Sequence, residues 1–468
     1  MIPLTLTSIA RITNGTLVGA DSTIEQVTTD SRVQQENGLF IALIGDKFDA
    51  HDFIDQAVAN GAKGLIVSQQ QETEVAQVVV ADTQKALAQI ASYVREQVNP
   101  KVIAITGSAG KTSVKEMVAS ILRSFTQSEH QVLATKGNFN NHIGVPLTLL
   151  NLNEDHKFAV IEMGANHKGE IAYCASIAKP DVSVINNIEA AHIEGFGSIE
   201  GVAQAKQEIY QALSNNGIAV INLDSQFSDR WLEKYSELQK VTVSRHKDAR
   251  FSAHNCTITT QGKVQFMLRH SDKGCEQSLT VTLQTPGTHN ISNALVAAAL
   301  AHCVGADMES IQSGLQETTS VKGRLDCKQG KSGTLIIDDT YNASVGSVKA
   351  AIDYLATLDG HKCLVLGDMA ELGEASEDYH TEVGEYAAKK SIDELLACGN
   401  KVNHSVIAFG LGGKLLSSKE KLIEELLAEI NSKKNILVKG SRSAQMEQVV
   451  EALIIKEPNK KLRGGTVC

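Results

Sequence analysis

A lysine and a threonine adjoin at positions 111 and 112, directly after two glycines and a β-branched run, in VIAITGSAGKTS (102–113). Residues of these types in this order suit a triphosphate. The backbone N–H groups of such a turn, and the start of the helix after it, face phosphate oxygens. Gly107 and Gly110 admit a backbone approach that a Cβ would block, and Ser108, Ala109 and Ser113 complete the loop. Lys111 offers charge to the β and γ phosphates, and Thr112 a hydroxyl to Mg²⁺. The common spacing GxxxxGK[ST] would require glycine at Ile105, so this loop is a shortened form. Its place between a strand-like run and the helical SVKEMVASIL (113–122) makes a chance match the minor reading.

Other polar residues follow strand-like runs farther on. Glu162 ends one such run in FAVIEMGA, and open parallel sheets gather ligands beyond those strand ends. A carboxylate there suits a second Mg²⁺; alone, a surface glutamate in a loop is the favoured reading. His192 follows DVSVINN, and a lone histidine is more often structural than a ligand. Lys206 in GVAQAKQEIY is either a solvated helix face or a buried amine that has lost its charge, and sequence leaves both open. GNFNNHIGVP (137–146), with Asn138 and Asn141, suits polar substrate contacts, although an isolated segment of this kind reads as turns. In the last third, IIDDTYNAS sets Asp338, Asp339, Tyr341 and Asn342 at a strand end, and GDMAELGE (367–374) and KGSRS (439–443) follow two further strands.

The elements that must carry these residues divide the chain. Its 468 residues exceed one ordinary core, so two or three domains are expected. A hydrophobic content of 42% and a charged content of 21% describe a soluble globular protein. The net charge of −10 argues against nonspecific nucleic-acid or anionic-membrane binding, while leaving room for a locally basic site. No run approaches membrane-spanning length, and MIPLTLTSIARITNG lacks the pattern of a signal peptide. Eight scattered cysteines without a CxxC pair read as reduced thiols in a cytoplasmic protein.

Short runs GLFIAL and GLIV flank a helical pattern near 53–60, and Asp82 or Thr83 could cap the next helix. From 102, strand-like VIAIT, FAVIEMGA, DVSVINNI and GIAVINLD alternate with helices, which implies a parallel sheet covered on both faces. VTVSR, CTITTQG, KVQFMLRH and SLTVTL resemble a short antiparallel subsheet, followed by the small-residue helix ISNALVAAALAHC. TLIIDD, KCLVLGD, SVIAFG and NILVKGS form a last α/β series. Three domains fit best: 1–82, 83–317 and 318–468.

Taken together, these segments resemble the Mur ligase family of ATP-dependent amide-bond-forming enzymes, in which TGSAGKTS is the shortened phosphate loop. GNFNNHIGVPLTLL, IEMGANHKGEI, NNIEAAHIEGFGS, AKQEI, DDTYNAS, GDMAELGE and KGSRSAQME are similar to the members that add D-alanyl-D-alanine to UDP-N-acetylmuramoyl-tripeptide in peptidoglycan synthesis. TTDSR (28–32) and FIALIGDKFDAHDF (40–53) are similar to the family's UDP-sugar-binding domain. The resemblance implies that small N-terminal α/β domain, a central P-loop domain with a mostly parallel sheet, and a C-terminal Rossmann-like α/β domain.

It further implies ATP and two Mg²⁺ ions as cofactors and a monomer as the working form. Lys111 would bind the terminal phosphates, with Thr112 on one Mg²⁺ and Glu162 and His192 on the other. Lys206 would be the family's carbamylated lysine, Asn290 and Asn293 would contact adenine, and Arg324 would face the phosphates. Asp339, Tyr341 and Asn342 would hold the nucleotide from the C-terminal domain, and Ser31 and Arg32 would lie at the uridine end. Gln207, where glycine is expected, and Ser344, where asparagine is common, depart from the pattern. A ligase adding a different residue, a folylpolyglutamate synthase and a non-catalytic nucleotide switch are the rival readings.

Overall fold

The apolar runs after residue 100 line up side by side, because each strand is buried on both faces and needs helices above and below it. The computed structural model describes residues 1–45, 47–190, 193–259, 263–272 and 274–455. Its largest sheet has nine strands. Lys101–Thr106 lies between Phe158–Glu162 and Val182–Ile185, all parallel, with Glu162 opposite Ile105 and Ile185 opposite Thr106. The sheet continues through Ile218–Asn222 and Gln239–Ser244, both parallel.

Beyond them, Phe251–Ile258, Val264–Asp272 and Cys275–Thr282 form an antiparallel meander on the same sheet. The expected subsheet is therefore an extension of the main sheet. Two expectations are corrected: the VTVS run belongs to the parallel part, with Val241 opposite Val220, and SVIAFG (405–410) supplies no strand, since its first five residues lie in the helix Asn403–Phe409. The helix Ser228–Lys234, which buries Trp231, provides the crossover that parallel pairing requires. Val264–Asp272 alternates buried and half-buried residues, as a one-faced strand should.

A six-stranded sheet follows, in the order Asp326–Gln329, Leu335–Asp339, Lys434–Lys439, His361–Gly367, Glu394–Cys398, Gly413–Leu416, with only the first strand antiparallel. Near the N-terminus, a five-stranded sheet runs from Thr16–Val18 to Gln26–Thr28. Helix Thr83–Val98 joins it to the central sheet: Asp82 caps it by accepting from the Lys85 N–H at 2.9 Å. Leu87, Ile90 and Val94 on this helix share one core with Ile66 on one side and Ala104 on the other. Among the described residues, no helix is long and apolar enough to cross a membrane, and the seven described cysteines are free.

Two departures from the family pattern find their explanation here. Gln207 has an ordinary right-handed helical backbone, so no glycine is needed, and its Oε1 accepts from Lys234 Nζ at 3.2 Å. Ser344 caps the helix Val345–Ala356 in a reciprocal capping box with Ser347.

Candidate active site

The central strand Lys101–Thr106 ends at the phosphate loop, and helix Lys111–Thr126 begins just after it. Gly110 has a φ of 75°, and a Cβ on it would stand 2.6 Å from Asn186 Nδ2. No side chain caps this helix and its first turn holds no acid, so its N–H groups and positive dipole end are open to an anion.

Neighbouring strands fasten the loop. Ala109 N donates to Asn187 Oδ1 at 2.8 Å, and Ser108 N to Asn187 O at 3.0 Å. Ser108 Oγ donates to Glu189 O at 3.2 Å and accepts from Glu189 N at 3.0 Å. Asn186 Nδ2 reaches Ala109 O at 2.9 Å and Asn293 Oδ1 at 3.1 Å. Asn293 Nδ2 donates in turn to Asn290 Oδ1 at 2.8 Å, and Asn290 Nδ2 to Pro286 O at 2.6 Å. Asn290 and Asn293 thus line the cleft, while their amides form a chain that supports the loop.

Charged groups gather above it. Glu162 is buried; its Oε2 accepts from Thr112 Oγ1 at 2.8 Å and its Oε1 from Asn140 Nδ2 at 2.8 Å. Its own N–H donates to Thr135 Oγ1 at 3.0 Å, and the buried Lys115 holds Thr135 O at 2.7 Å. Thr112 Oγ1 also accepts from Arg324 Nη2 at 2.9 Å, a contact between residues far apart in the chain. The Arg324 guanidinium lies 4.2 Å from the Tyr341 ring centroid, and its buried Nε has no acceptor among the described residues.

Lys111 Nζ donates to Gly107 O at 2.7 Å. Burial lowers its proton affinity, Glu162 opposes that shift, and Arg324 adds to it. Lys206 is only 1% exposed, at the last turn of helix Ile199–Lys206. Among the described residues its Nζ has no hydrogen-bond partner and lies 5.9 Å from the Phe196 ring centroid. Burial, reinforced by the charge of Lys111, drives its pKa well below that of an ordinary lysine.

The opposite wall belongs to the six-stranded sheet. Strand alternation splits the aspartate pair: Asp338 turns towards Lys328 and Thr340, while Asp339 turns to the cleft. Asp339 Oδ2 lies 2.5 Å from Lys439 Nζ, and Asn342 O accepts from the same ammonium at 2.9 Å. Together the two walls enclose a cavity of about 410 Å³.

The cavity gathers Ser108, Ala109, Gly110, Lys111, Ser113, Asn138, Asn141, Glu162, Arg324, Asp339, Tyr341 and Asn342 from the residues singled out by sequence. Ser31 and Arg32 lie apart, beyond the strand Gln26–Thr28: Ser31 Oγ donates to Gln56 Oε1 at 2.7 Å, and Arg32 forks onto Asp30. His192 lies outside the described residues. Glu189, unmarked by sequence, also lines the cleft; its Oε2 is buried without a donor among the described residues, and burial raises its pKa against the pull of Lys111. Its only sequence signal was its place in the same post-strand run as His192.

The oxygen donors Thr112 and Glu162 suit Mg²⁺, which takes few protein ligands and completes its shell with phosphate oxygens and water.

Family models match in three stretches: the Mur ligase family catalytic domain over 23–126, the Mur ligase middle domain over 105–301, and the Mur ligase glutamate ligase domain over 323–442. The chain is 46% identical to UDP-N-acetylmuramoyl-tripeptide–D-alanyl-D-alanine ligase of Escherichia coli strain K12, over 97% of this chain and 99% of that one. A crystal structure of MurF from Acinetobacter baumannii superposes with a TM-score of 0.89 at 36% identity, covering 96% of this chain and 98% of that one. A MurF ligase from Thermotoga maritima, crystallised with ADP, superposes at 0.78 with 28% identity, over 92% and 96%. With its phosphate loop, its cleft and its full length matched in this way, the chain belongs to the Mur ligase family.

Proposed function

We propose that this chain is an ATP-dependent ligase joining D-alanyl-D-alanine to UDP-N-acetylmuramoyl-tripeptide, giving the UDP-pentapeptide, ADP and phosphate in the cytoplasm. The carrying observation is the trio Thr112, Glu162 and Arg324, hydrogen-bonded in series at an uncapped phosphate loop, in a member of this family. It unites a hydroxyl, a carboxylate and a guanidinium from three separate segments where a terminal phosphate would sit.

A carboxylate is a poor electrophile, so amide formation needs activation. The tripeptide's terminal carboxylate attacks the γ-phosphate and becomes an acyl phosphate. The dipeptide amine then attacks the acyl carbon and phosphate leaves. Several anions meet in the first step, and Lys111 and Arg324 offset their charge. The orphaned Nε of Arg324 is a donor with no acceptor until an oxygen arrives. Thr112 would hold one Mg²⁺, and Glu162 and His192 the other, each stabilising charge on the transferring phosphoryl group. Asp339, Tyr341 and Asn342 would keep the nucleotide against the loop. Asn138 and Asn141 would orient the tripeptide, and Ser31 and Arg32 the uridine end. The acyl phosphate is labile, so the walls that enclose the cavity must also exclude water.

An unprotonated amine is the form that adds CO₂, and burial shifts Lys206 towards that form. We read it as the carbamylated lysine, whose negative charge would support the second Mg²⁺. The working form is read as a monomer of three domains meeting near Asp82 and Thr318.

The test is ADP release with UDP-tripeptides ending in diaminopimelate or lysine, each with and without D-alanyl-D-alanine. Release that needs both substrates is expected. Release indifferent to the dipeptide, or none with either tripeptide, overturns the reading.

A further inference from the structure

Two of the strips that line the C-terminal wall, Gly323–Arg324–Leu325 and Asp339, Tyr341 and Asn342, flank the antiparallel strand pair Asp326–Gln329 and Leu335–Asp339. One buried group connects them. Lys439, the last residue of strand Lys434–Lys439, lies opposite Asp339 in parallel register and is 2% exposed. Its Nζ reaches Asp339 Oδ2 at 2.5 Å, Asn342 O at 2.9 Å and Asp339 O at 3.4 Å, so all three ammonium protons are used. The other oxygen of the same carboxylate, Asp339 Oδ1, accepts from the Leu325 N–H at 3.1 Å. A second tie joins the strips, from Tyr341 N to Gly323 O at 3.0 Å.

We propose that Lys439 is a positioning residue for the ligase reaction: through Asp339 it fixes Arg324 relative to Tyr341 and Asn342, and so sets the nucleotide face of the cleft. Stability is a poor reason for such a pair. A buried ion pair loses hydration on both partners, and an apolar pair of similar volume serves a core as well or better. What a lysine does here that an apolar residue cannot is hold a carboxylate and a carbonyl from one strip in a single geometry. That carboxylate is then aimed at a backbone N–H of the other strip. The consequence reaches Arg324, which stacks on Tyr341 and donates to Thr112 across the cleft.

This inference rests on the proposed ligase reading, so the experiment separates the two. ADP binding by calorimetry, without turnover, is measured for the wild type, Lys439→Met, Asp339→Asn and the double variant, beside UDP-tripeptide binding. Lys439→Met is expected to weaken ADP binding by about 10- to 100-fold, the usual loss when a group supporting a binding residue is removed. UDP-tripeptide binding should stay within about twofold. The double variant should bind ADP no more weakly than the worse single variant, because both act through one contact. It carries no unpaired buried charge, so it remains measurable if Lys439→Met does not fold. Equal weakening for both ligands, additive losses in the double variant, or unchanged ADP binding would each overturn the assignment. A wild type that binds ADP but forms no ADP from ATP with both substrates would instead overturn the ligase reading alone.

Discussion

Two lysines are deeply buried, Lys206 at 1% exposure within reach of the charge of Lys111, and Lys439 at 2% on the C-terminal wall of the cleft, and they are put to different uses. Lys439 has an aspartate and two carbonyls around its ammonium. Lys206 has an aromatic ring and, among the described residues, no hydrogen-bond acceptor. Burial alone therefore decides little. With a carboxylate and carbonyls around it, the amine acts as a clamp; without them, burial lowers its pKa and favours the neutral, nucleophilic form. The difference separates a residue that holds the site from one that is itself open to covalent change.

The sharpest break in that comparison is Lys206→Ala. Loss of the anionic support expected from its carbamate should lower ligation by about 100- to 1,000-fold, as for other preorganised charge groups in active sites. Acetate or formate at high concentration should restore part of the rate to this variant, and none to Lys439→Met. Steady-state ADP formation with added carboxylates checks both statements. A fully active Lys206→Ala enzyme removes the carbamate assignment.

Very little of this contrast was legible in the sequence, for a physical reason. The phosphate loop reads at once because a phosphate cradle is built from consecutive backbone, so types and spacing lie together in the text. Glu162 and Arg324 meet at Thr112 from 50 residues ahead in the chain and 212 residues ahead, a distance that spacing rules cannot bridge. Glu162 stands out only by its strand-end place, which leaves its role open, and Arg324 only through family resemblance. Lys206 sits where a helix pattern allows a solvated face, and burial is a property of the packed molecule. Lys439 enters the sequence reading only as the start of KGSRS (439–443), with no role of its own, because its partner is 100 residues away. The VTVS run was read as antiparallel because a short β-branched strand carries no mark of its partner's direction; the crossover helix that buries Trp231 decides it. Glu189 escaped because an acid beside a triphosphate site runs against expectation.

The same two lysines should part again in stability, with opposite signs. Lys439→Met leaves Asp339 unpaired and should destabilise by about 3–5 kcal/mol. Lys206→Met replaces a buried amine that has no hydrogen-bond partner among the described residues, and should stabilise the CO₂-free protein by about 1–3 kcal/mol. The pH dependence follows from the lowered pKa of Lys206. Between its folded and unfolded values the unfolded chain binds the extra proton, so wild-type stability rises with pH across that window. Lys206→Met should therefore gain most at the acid end of the window and least near the ordinary lysine pKa. Urea titrations at several pH values measure this. Destabilisation by Lys206→Met would mean that its amine has a partner in solution.

The smallest effect concerns the acid on the central wall. Ser108 anchors the backbone of Glu189, and the carboxylate packs against Gly346 of the opposite wall, where a Cβ would stand 2.1 Å from Oε2. Burial raises its pKa, and Lys111 only partly offsets this. When the proton leaves at higher pH, a negative charge appears beside the loop that receives the triphosphate, so the wild-type KM for ATP should rise with pH. Glu189→Gln keeps the shape and removes the charge. It should lower the KM for ATP at the alkaline end by about two- to fivefold, the range of a single screened charge, and flatten its pH dependence. As the pH falls and the carboxyl takes up its proton, the two enzymes should differ less. If Glu189→Gln instead raises the KM at every pH, the carboxylate contributes to nucleotide binding as a ligand, and the central wall, like Lys439 opposite, holds its charges by pairing.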